Sequence, residues 1–484
     1  MAVSNGDGVI GGAMVMHKTL WMLTIAVWCG ACGSGDAAIR SNVQNSLALV
    51  DITVVPMDSD RVLPRHSVII RDGTITALGP VAEIQIPDNA HRIDGAGLYV
   101  TPGLVDAHVH VRDARELLSY LRHGVTTVVH LSGATGTIPD VLDLRAQVLR
   151  GDLPGPTIHA SGRILDGQPP IFPGVSTVVR TPAEGRRAVE TQIAAGVDLI
   201  KVYNNVRTET LRSILQTADS HHVTVWGHLP RIDGRDSALH RALSAGLDVI
   251  AHGEEVFFTM LYRDVENQLD RGRIPAVDPR LSSDAVRLIR EHGAVVIPNL
   301  SFVAMTRRQL DDIEQLWTDS EAAFLHPETL AMWKQQNAAR RQDIQRFDLR
   351  ERGKQAVVRQ LTKDLSDAGV TLLLGSDASA PGMFPGTSAH LELSELVAAG
   401  LSPYQALAAA TRAPGKYLDR HTRQSPPFGT IAVGSRADLL IVKANPLTDV
   451  SNVAQIAGVI VRGEWYTRAQ LDSLRASSIR SSGR

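Results

Sequence analysis

Two hydrophobic patterns divide this chain. Short alternating runs such as LALVDITVV (47–55) and ADLLIVKANPL (437–447) occur near both ends and predict β-strands. The dipeptide Asp72-Gly73 separates two of these runs and predicts a hairpin turn. We expect residues 47–103 and 419–484 to pair into one small β-sandwich built from both chain ends, with the C-terminal tail included in the second part.

Between these pieces, apolar β-branched runs alternate with helical patterns. Nearly continuous hydrophobicity is typical of parallel strands that are buried on both faces. The eight runs are GLVDAHVH (103–110), GVTTVVHLSG (124–133), PTIHASGRI (156–164), VDLIKVYN (197–204), VTVWGHLP (223–230), LDVIAHGEE (247–255), GAVVIPNLSF (293–302) and VTLLLGSDA (370–378). A doubly wound sheet could use the same units, but the count of eight favours an α/β fold with a (β/α)8 TIM barrel over residues 104–418.

One long, charged, helical segment interrupts the alternation. It covers about residues 303–360, between the seventh and eighth runs. At the top of a barrel such an insertion would serve as a lid or as a contact between subunits. We predict a homo-oligomer.

The N-terminal residues resemble an export signal. In HKTLWMLTIAVWCGACGSGD (17–36), Lys18 precedes an apolar run that is too short to span a bilayer, followed by small residues. We predict a signal peptide over residues 1–35 and a linker over 36–46. The CGAC ending resembles a bacterial lipoprotein signal with Cys32 as the lipidated residue, and a redox pair of Cys29 and Cys32 is the alternative. The predicted location is the periplasm, either free or anchored by lipid to the bacterial envelope.

Composition narrows the choice of partners. Lys and Arg number 49 and Asp and Glu number 51, which leaves a net charge of -2 and no basic field for nucleic acid. Aromatic residues make up only 4% of the chain, too few to suggest stacking surfaces for single strands. The two cysteines both lie in the predicted signal, so no disulfide framework holds the body together. We therefore expect a small-molecule substrate.

Side chains that can bind a metal ion or transfer a proton lie at the ends of the predicted strands. They are His108, His110, His130, Lys201, His228, His252 and Asp377. The carboxyl ends of all strands in a (β/α)8 barrel meet at one face, where active sites lie. Imidazole and carboxylate ligands suit Zn, Mn, Ni or Fe. The pattern therefore predicts a metal site, in which Asp377 binds an ion and accepts a proton from a metal-activated hydroxide.

His108 and His110 are separated by one residue, so both point to the same side of their strand and can bind one ion. Lys201 is unusual in this company because an ammonium group repels cations. Two interpretations remain open at this stage. Carbon dioxide can carboxylate the amine and make it an anionic bridge between two metal ions. Alternatively, an unmodified Lys201 holds a substrate carboxylate beside a single ion.

Five motifs together resemble the amidohydrolase superfamily, and most of all its imidazolonepropionase-like and Xaa-Pro dipeptidase (prolidase-like) members. The motifs are TPGLVDAHVH, DLIKVY, GHLP, IAHGEE and LLLGSDASAPG. The resemblance implies two divalent ions, for which we predict zinc. It places His108, His110, Lys201 and Asp377 on one ion and carboxylated Lys201, His228 and His252 on the other. His130 departs from the charged or amide residue that relatives carry at that position.

Four further residues are candidate substrate contacts. His130 ends the second strand, Arg163 follows the third, Tyr203 lies two residues after Lys201, and His390 opens a helix after the Asp377 loop. Each also has a purely structural interpretation. His130 would be an outer-shell histidine and Arg163 a solvated loop charge. Tyr203 would be a packed core residue and His390 a histidine on a helix surface.

The predicted activity is metal-dependent hydrolysis of an amide or peptide bond in a dipeptide or N-acyl amino acid, with Asp377 as general base and acid. Cleavage of a cyclic amide, a lactone or an ester by the same site is the alternative within enzymes. A secreted protein that only holds metal is the alternative outside them. Asp377 argues against it, since pure metal binding needs no proton acceptor.

Overall fold

Alternating segments from both chain ends form one mixed sheet. A computed structural model describes residues 46–131, 140–234, 237–261, 267–268, 271–274, 279–311, 314–340, 344–422 and 426–481. The N-terminal strands of this sheet are β1 (Ser46–Val54), β2 (Leu63–Arg71), β3 (Thr74–Pro80), β4 (His91–Asp94) and β5 (Tyr99–Pro102). The C-terminal strands are β15 (Leu439–Val442), β16 (Ile456–Val461) and β17 (Glu464–Thr467). The predicted signal peptide with Cys29 and Cys32, and linker residues 36–45, lie outside the described residues.

The order in this sheet is β17-β16-β15-β5-β1-β2-β3, and β4 pairs with β1. The two chain ends meet where β5 runs antiparallel to β15, with Val100 opposite Ile441. The β2–β3 hairpin is confirmed. Its turn residues Asp72 and Gly73 both have positive φ, at 49° and 76°, as a two-residue hairpin turn requires. The pairing gives one continuous sheet, and the two packed sheets of a sandwich are not shown.

The apolar runs between these ends form parallel strands with buried residues on both faces. They are β6 (Leu104–Val109), β7 (Val125–His130), β8 (Thr157–Ala160), β9 (Ile164–Asp166), β10 (Ser176–Val178), β11 (Leu199–Val202), β12 (Thr224–Gly227), β13 (Val249–Ala251) and β14 (Val295–Ile297). Two sheets result, ordered β6-β7-β8 and β10-β9-β11-β12-β13-β14. This strand order by itself does not close a barrel.

The eighth predicted run, VTLLLGSDA, pairs only through isolated parallel bridges. Leu372 bridges Val296 next to β14, and Ala378 bridges Val109 in β6. A third parallel bridge joins Ser161, after β8, to Leu199 in β11. These contacts bring the loop that carries Asp377 beside the strand that carries His108.

Helices follow most of the parallel strands. They are α1 (Ala114–Arg122), α2 (Val141–Arg150), α3 (Pro182–Ala194), α4 (Thr208–Ser220), α5 (Ala238–Ser244), α6 (Gly253–Val256, continued by a π-helical turn, Phe257–Leu261) and α7 (Pro279–Glu291). Their sequences carry capping signals. Thr181 caps α3 by accepting a hydrogen bond from the Glu184 amide, and Pro182 occupies the first turn. Gly151 ends α2 in the left-handed conformation.

The predicted insertion is helical. It contains α8 (Leu300–Asp311), α9 (Glu314–Thr318), a 3-10 turn (Ser320–Phe324), α10 (Pro327–Arg340) and α11 (Ile344–Asp367). The chain then continues through α12 (Thr387–Ala398), α13 (Pro403–Ala410) and α14 (Arg412–His421) to β15, a 3-10 turn (Val450–Ala454), and finally α15 (Arg468–Ser481). Within the described residues, no helix combines the length and the apolar character needed to cross a membrane.

The insertion is attached to the loops that follow the last parallel strands. Trp333 is fully buried and donates from Nε1 to the carbonyl of Ser379 at 3.0 Å. Lys354 forms buried ion pairs with Glu254 and Glu351, each at 2.7 Å. Glu392, in α12, accepts the first two amides of α8. The insertion is therefore part of the wall around these loops.

Candidate metal centre

His108 on β6, His110 directly after this strand, and an aspartate from the eighth run form the centre of the site. His108 Nε2 and His110 Nε2 lie 3.2 Å and 2.9 Å from the same carboxylate oxygen of Asp377. Ligands held about 2.1 Å from one ion are themselves about 3 to 3.5 Å apart, so these separations suit a shared ion. Ligand atoms of His108, His252 and Asp377 all lie within 4.8 Å of one another.

The strand pairing explains this convergence. The Asp377 amide donates to the carbonyl of His108 at 2.8 Å, which brings the two chain segments side by side. Asp106, buried on β6, accepts the amide of Ser376 at 2.9 Å and its hydroxyl at 2.5 Å. Burial raises the pKa of Asp106 to about 7. The residue before Asp377 is thus anchored directly to the strand of the two histidines.

Two of the candidate ligands have backbone conformations that L-residues rarely adopt. His252 has φ 73° and Asp377 has φ 63°. A non-glycine residue in such a region costs about 1–3 kcal/mol and is found mostly at functional sites. The surrounding contacts must hold both residues in place, which is consistent with a role that requires their side chains to face the centre.

His228 and Lys201 adjoin this group. The His228 ring centroid is 4.8 Å from that of His252, which in turn is 4.7 Å from that of His108. Lys201 Nζ is buried and has no hydrogen-bond partner. Burial lowers the pKa of Lys201 to about 8, although Asp377 and Glu255 oppose this shift. A buried amine without an acceptor is costly to place in a protein interior.

Burial and nearby charges favour neutral His108 and His228 and an ionised Asp377. Burial lowers the pKa of His108 and of His228 well below the usual value, and the nearby Lys201 lowers both further. Burial raises the pKa of Asp377, but the hydrogen bond with His110 and the positive charges around it outweigh burial and hold that pKa below its usual value. Neutral imidazoles and an ionised carboxylate are the forms that bind metal.

An outer carboxylate orients His228. Glu255 Oε1 lies 3.0 Å from His228 Nδ1, and Asn204 Oδ1 lies 3.1 Å from the same atom. With its Nδ1–H directed at these oxygens, His228 presents the lone pair of Nε2. Carboxylate partners of this kind fix the tautomer of metal-binding histidines. Neither Glu255 nor Asn204 was among the sequence-based candidates, although Glu255 belongs to the IAHGEE run directly after a predicted strand.

His130 and Arg112 supply unpaired donors beside the centre. His130 Nδ1 accepts the amide of Val111 at 3.0 Å, so the ring proton is on Nε2, which is buried without a partner. The His130 ring lies 6.4 Å from that of His110. Arg112 Nε is also buried and unpaired, and burial lowers the pKa of this guanidinium. Sequence analysis missed Arg112, which follows His110 at the same two-residue spacing.

Of the other predicted substrate contacts, Tyr203 borders the site, whereas Arg163 and His390 form hydrogen bonds with backbone carbonyls. The Tyr203 ring centroid lies 3.8 Å from that of His228. One terminal nitrogen of the Arg163 guanidinium donates to the carbonyls of Gly174 and Ser176 and so helps to hold a loop. His390 does not join the group. Its Nε2 hydrogen-bonds the carbonyl of His123 at the C-terminal end of α1, because α12 packs against that end of the helix.

The chain matches the family model of the amidohydrolase family over residues 99–466. The chain belongs to the amidohydrolase family. This match confirms the predicted amidohydrolase, and the described His/Asp group accords with a divalent metal.

Among solved structures, the chain is similar to bottromycin amidohydrolase, with 25% identity, a TM-score of 0.68, and coverage of 90% of this chain and 91% of that one. It is also similar to a Bifidobacterium longum protein assigned as a prolidase, with 25% identity, a TM-score of 0.65, and coverage of 90% and 99%. The predicted similarity to prolidase-like members is thereby confirmed.

Curated relatives match over shorter stretches. An adenine deaminase of Rubrobacter xylanophilus is 30% identical over 172 residues, which cover 34% of this chain and 27% of the relative. The enamidase of Eubacterium barkeri is 31% identical over 123 residues, which cover 22% and 32%. The amidohydrolase thus spans about a third or less of the length of these two relatives.

Proposed function

We propose that this amidohydrolase cleaves the amide bond of a small substrate that carries a carboxylate, a dipeptide or an N-acyl amino acid. One observation supports this substrate class above others. Arg112 Nε and His130 Nε2 are buried without a hydrogen-bond partner, and the His130 ring lies 6.4 Å from that of His110. A guanidinium whose Nε–H has no hydrogen-bond partner is a natural partner for an anionic group of a ligand.

In this proposal the site would take two zinc ions. His108, His110, Lys201 and Asp377 would hold one ion, and Lys201, His228 and His252 would hold the other. The donor set fits, because neutral imidazoles and carboxylates are ligands that zinc accepts. When bound, divalent ions supply Lewis-acid activation of water and of the scissile carbonyl.

Carboxylated Lys201 is part of the same proposal. The unpartnered, buried Nζ supports it, because carbon dioxide can add to the neutral amine and turn it into an anion. An unmodified ammonium would instead stand unpaired among histidines. The pKa of about 8 for this amine keeps an appreciable fraction neutral near pH 7 to 8.

Residues of the chain then transfer the proton and position the substrate. Asp377, ionised and shared by His108 and His110, accepts the proton of the attacking water and returns it to the departing amine. The Nε2–H of His130 donates to an oxygen of the substrate. Arg112 holds the substrate carboxylate and so aligns the amide with Asp377.

We propose that the parallel strands close as a (β/α)8 barrel. The three isolated parallel bridges support closure, since they link β8 to β11, β14 to the eighth run, and the eighth run back to β6. A β-sandwich from both chain ends would complete the architecture. Export, lipid attachment at Cys32 and assembly into a homo-oligomer stay predictions from the sequence.

The test uses the full chain reconstituted with zinc. Dipeptides and N-acyl amino acids are compared with the same compounds capped as C-terminal carboxamides, and imidazolones, lactams and lactones are assayed alongside. We expect metal-dependent turnover of the free acids and a large loss of kcat/KM on capping. Preferred turnover of the cyclic compounds would favour the alternative activity.

Arg112→Met should remove the preference for the free acid. The matched control is Arg115→Met, because Arg115 lies nearby but is already paired with Asp113 at 2.7 Å. If the zinc-loaded protein hydrolyses none of these compounds, the proposal is wrong.

A further inference from the structure

We propose that the loop of residues 167–176 forms an apolar subsite for the acyl or N-terminal group of the substrate. The ligand class is an N-acyl or N-aminoacyl amino acid whose leading group is aromatic or a long aliphatic chain. This inference rests on the proposed amide hydrolysis and adds the side-chain preference of the same site.

Two large apolar side chains stand exposed on this loop. Ile171 is 48% exposed and Phe172 is 45% exposed. Adjacent exposed residues of this size are unfavourable in water and mark binding surfaces more often than isolated ones do. The two side chains therefore form an apolar surface that is available to contact a ligand.

The loop is held in shape by its own polar contacts. Asp166 is buried and accepts hydrogen bonds at 2.8 Å from the amides of Gly167 and Ile171. Asn205 donates to the carbonyl of Pro169 at 2.7 Å.

Arg163 secures the other end of the loop through Gly174 and Ser176, at 3.0 Å and 2.8 Å. A loop fixed in this way presents its apolar residues without ordering them on binding, which favours affinity.

Aromatic contacts connect the exposed loop to the metal centre. The Phe172 ring meets the Tyr203 ring edge-on at 5.6 Å, and the Tyr203 ring packs on His228 at 3.8 Å. His228 is a candidate metal ligand. One aromatic ring, Tyr203, therefore separates Phe172 from this candidate ligand.

The position of this subsite also orients the substrate. Tyr203, directly after β11, lies next to His228 and contacts Phe172, whereas Arg112 follows β6 and His130 ends β7. The carboxylate and the apolar group would then occupy opposite sides of the metal group, with the amide between them.

The experiment compares two substrates that differ only in the leading group. N-phenylacetyl and N-acetyl derivatives of one amino acid are assayed with the zinc-loaded full chain, and the readout is the ratio of their kcat/KM values. We expect Phe172→Ala to lower this ratio about tenfold, since an aromatic contact beyond simple burial contributes that much. Phe172→Leu should recover part of the ratio, and Ile171→Ala should lower it to a smaller extent.

Leu149→Ala is the matched control, because Leu149 is an apolar residue on α2 that is 56% exposed. The ratio of kcat/KM values in Leu149→Ala should equal that of the wild type. If Phe172→Ala leaves the ratio unchanged, the subsite is refuted, and an altered oligomeric state in that variant would identify the loop as a contact between copies.

A binding measurement separates this inference from the proposed hydrolysis. The dissociation constants of the matched ketomethylene analogues, in which CH2 replaces the amide NH, are measured by calorimetry. If neither amide is hydrolysed but the phenylacetyl analogue binds more tightly and loses that advantage in Phe172→Ala, the subsite stands and the hydrolase proposal fails. If the amides are hydrolysed and no such advantage exists, the subsite fails alone.

Discussion

The carboxylate of Glu255 supports a prediction that the structure makes quantitative. Both of its oxygens face donors only. Oε1 faces His228 Nδ1 at 3.0 Å and Arg231 at 3.5 Å. Oε2 accepts from Asn204 Nδ2 at 3.0 Å and from the amide of Leu229 at 3.1 Å.

In Glu255→Gln, either orientation of the amide places its NH2 group against a donor. The variant must therefore lose contacts on one side, and the Nδ1–H of His228 loses its charged acceptor in every arrangement. Removing such an outer-shell partner typically weakens metal binding 10- to 100-fold, or by about 1.4 to 2.8 kcal/mol. We expect an effect of this size on the affinity for the zinc ion that His228 and His252 would hold.

The assay is competition for zinc against a chromophoric chelator, with both stoichiometry and affinity recorded. Glu254→Gln is the matched control. Glu254 is the neighbouring buried carboxylate, but its ion pair is with Lys354, and it acts on His252 only through a longer-range electrostatic interaction. It should lower thermal stability and leave zinc affinity near that of the wild type. Equal zinc affinity in Glu255→Gln and the wild type would refute the orienting role of Glu255.

Three further predictions concern the lysine bridge, a buried acid and the insertion. Lys201→Ala should abolish turnover, and short carboxylic acids should restore part of it; normal activity in this variant would exclude the bridge. Burial raises the pKa of Glu116 from 4.5 to about 8. The folded state therefore retains a proton that the unfolded chain releases. This stabilisation is complete below pH 4.5 and is lost as pH rises through about 8. Denaturant unfolding across this range should show a shallower pH dependence for Glu116→Gln. Lys354→Met should lower the free energy of unfolding by about 3–5 kcal/mol, because two buried carboxylates lose their cation; an unchanged unfolding midpoint would contradict this.

Part of the site could be predicted because it depends on local periodicity. Alternation along β6 places His108 and His110 on one side, and continuous hydrophobicity identifies a buried strand that ends near them. The ends of parallel strands share one face, so Lys201, His228, His252 and Asp377 could be grouped with these histidines. The structure places all six in one neighbourhood.

The structure also assigns roles that local patterns left undecided. Arg163 was a candidate carboxylate clamp, and one terminal nitrogen of its guanidinium donates to two loop carbonyls. His390 was a candidate for the site wall, yet its ring bonds to His123. Arg112, by contrast, had no predicted role, and its buried Nε has no hydrogen-bond partner.

The sequence by itself therefore determined the family, the alternation of strands and helices, and the residues at the strand ends, since each follows from spacing along the chain. Only the tertiary structure decided which loop side chains already have hydrogen-bond partners within the protein and which have donors left for a ligand. The reason is physical. The partner of a loop side chain comes from a distant segment, as Glu255 does for His228, and no local period encodes that contact.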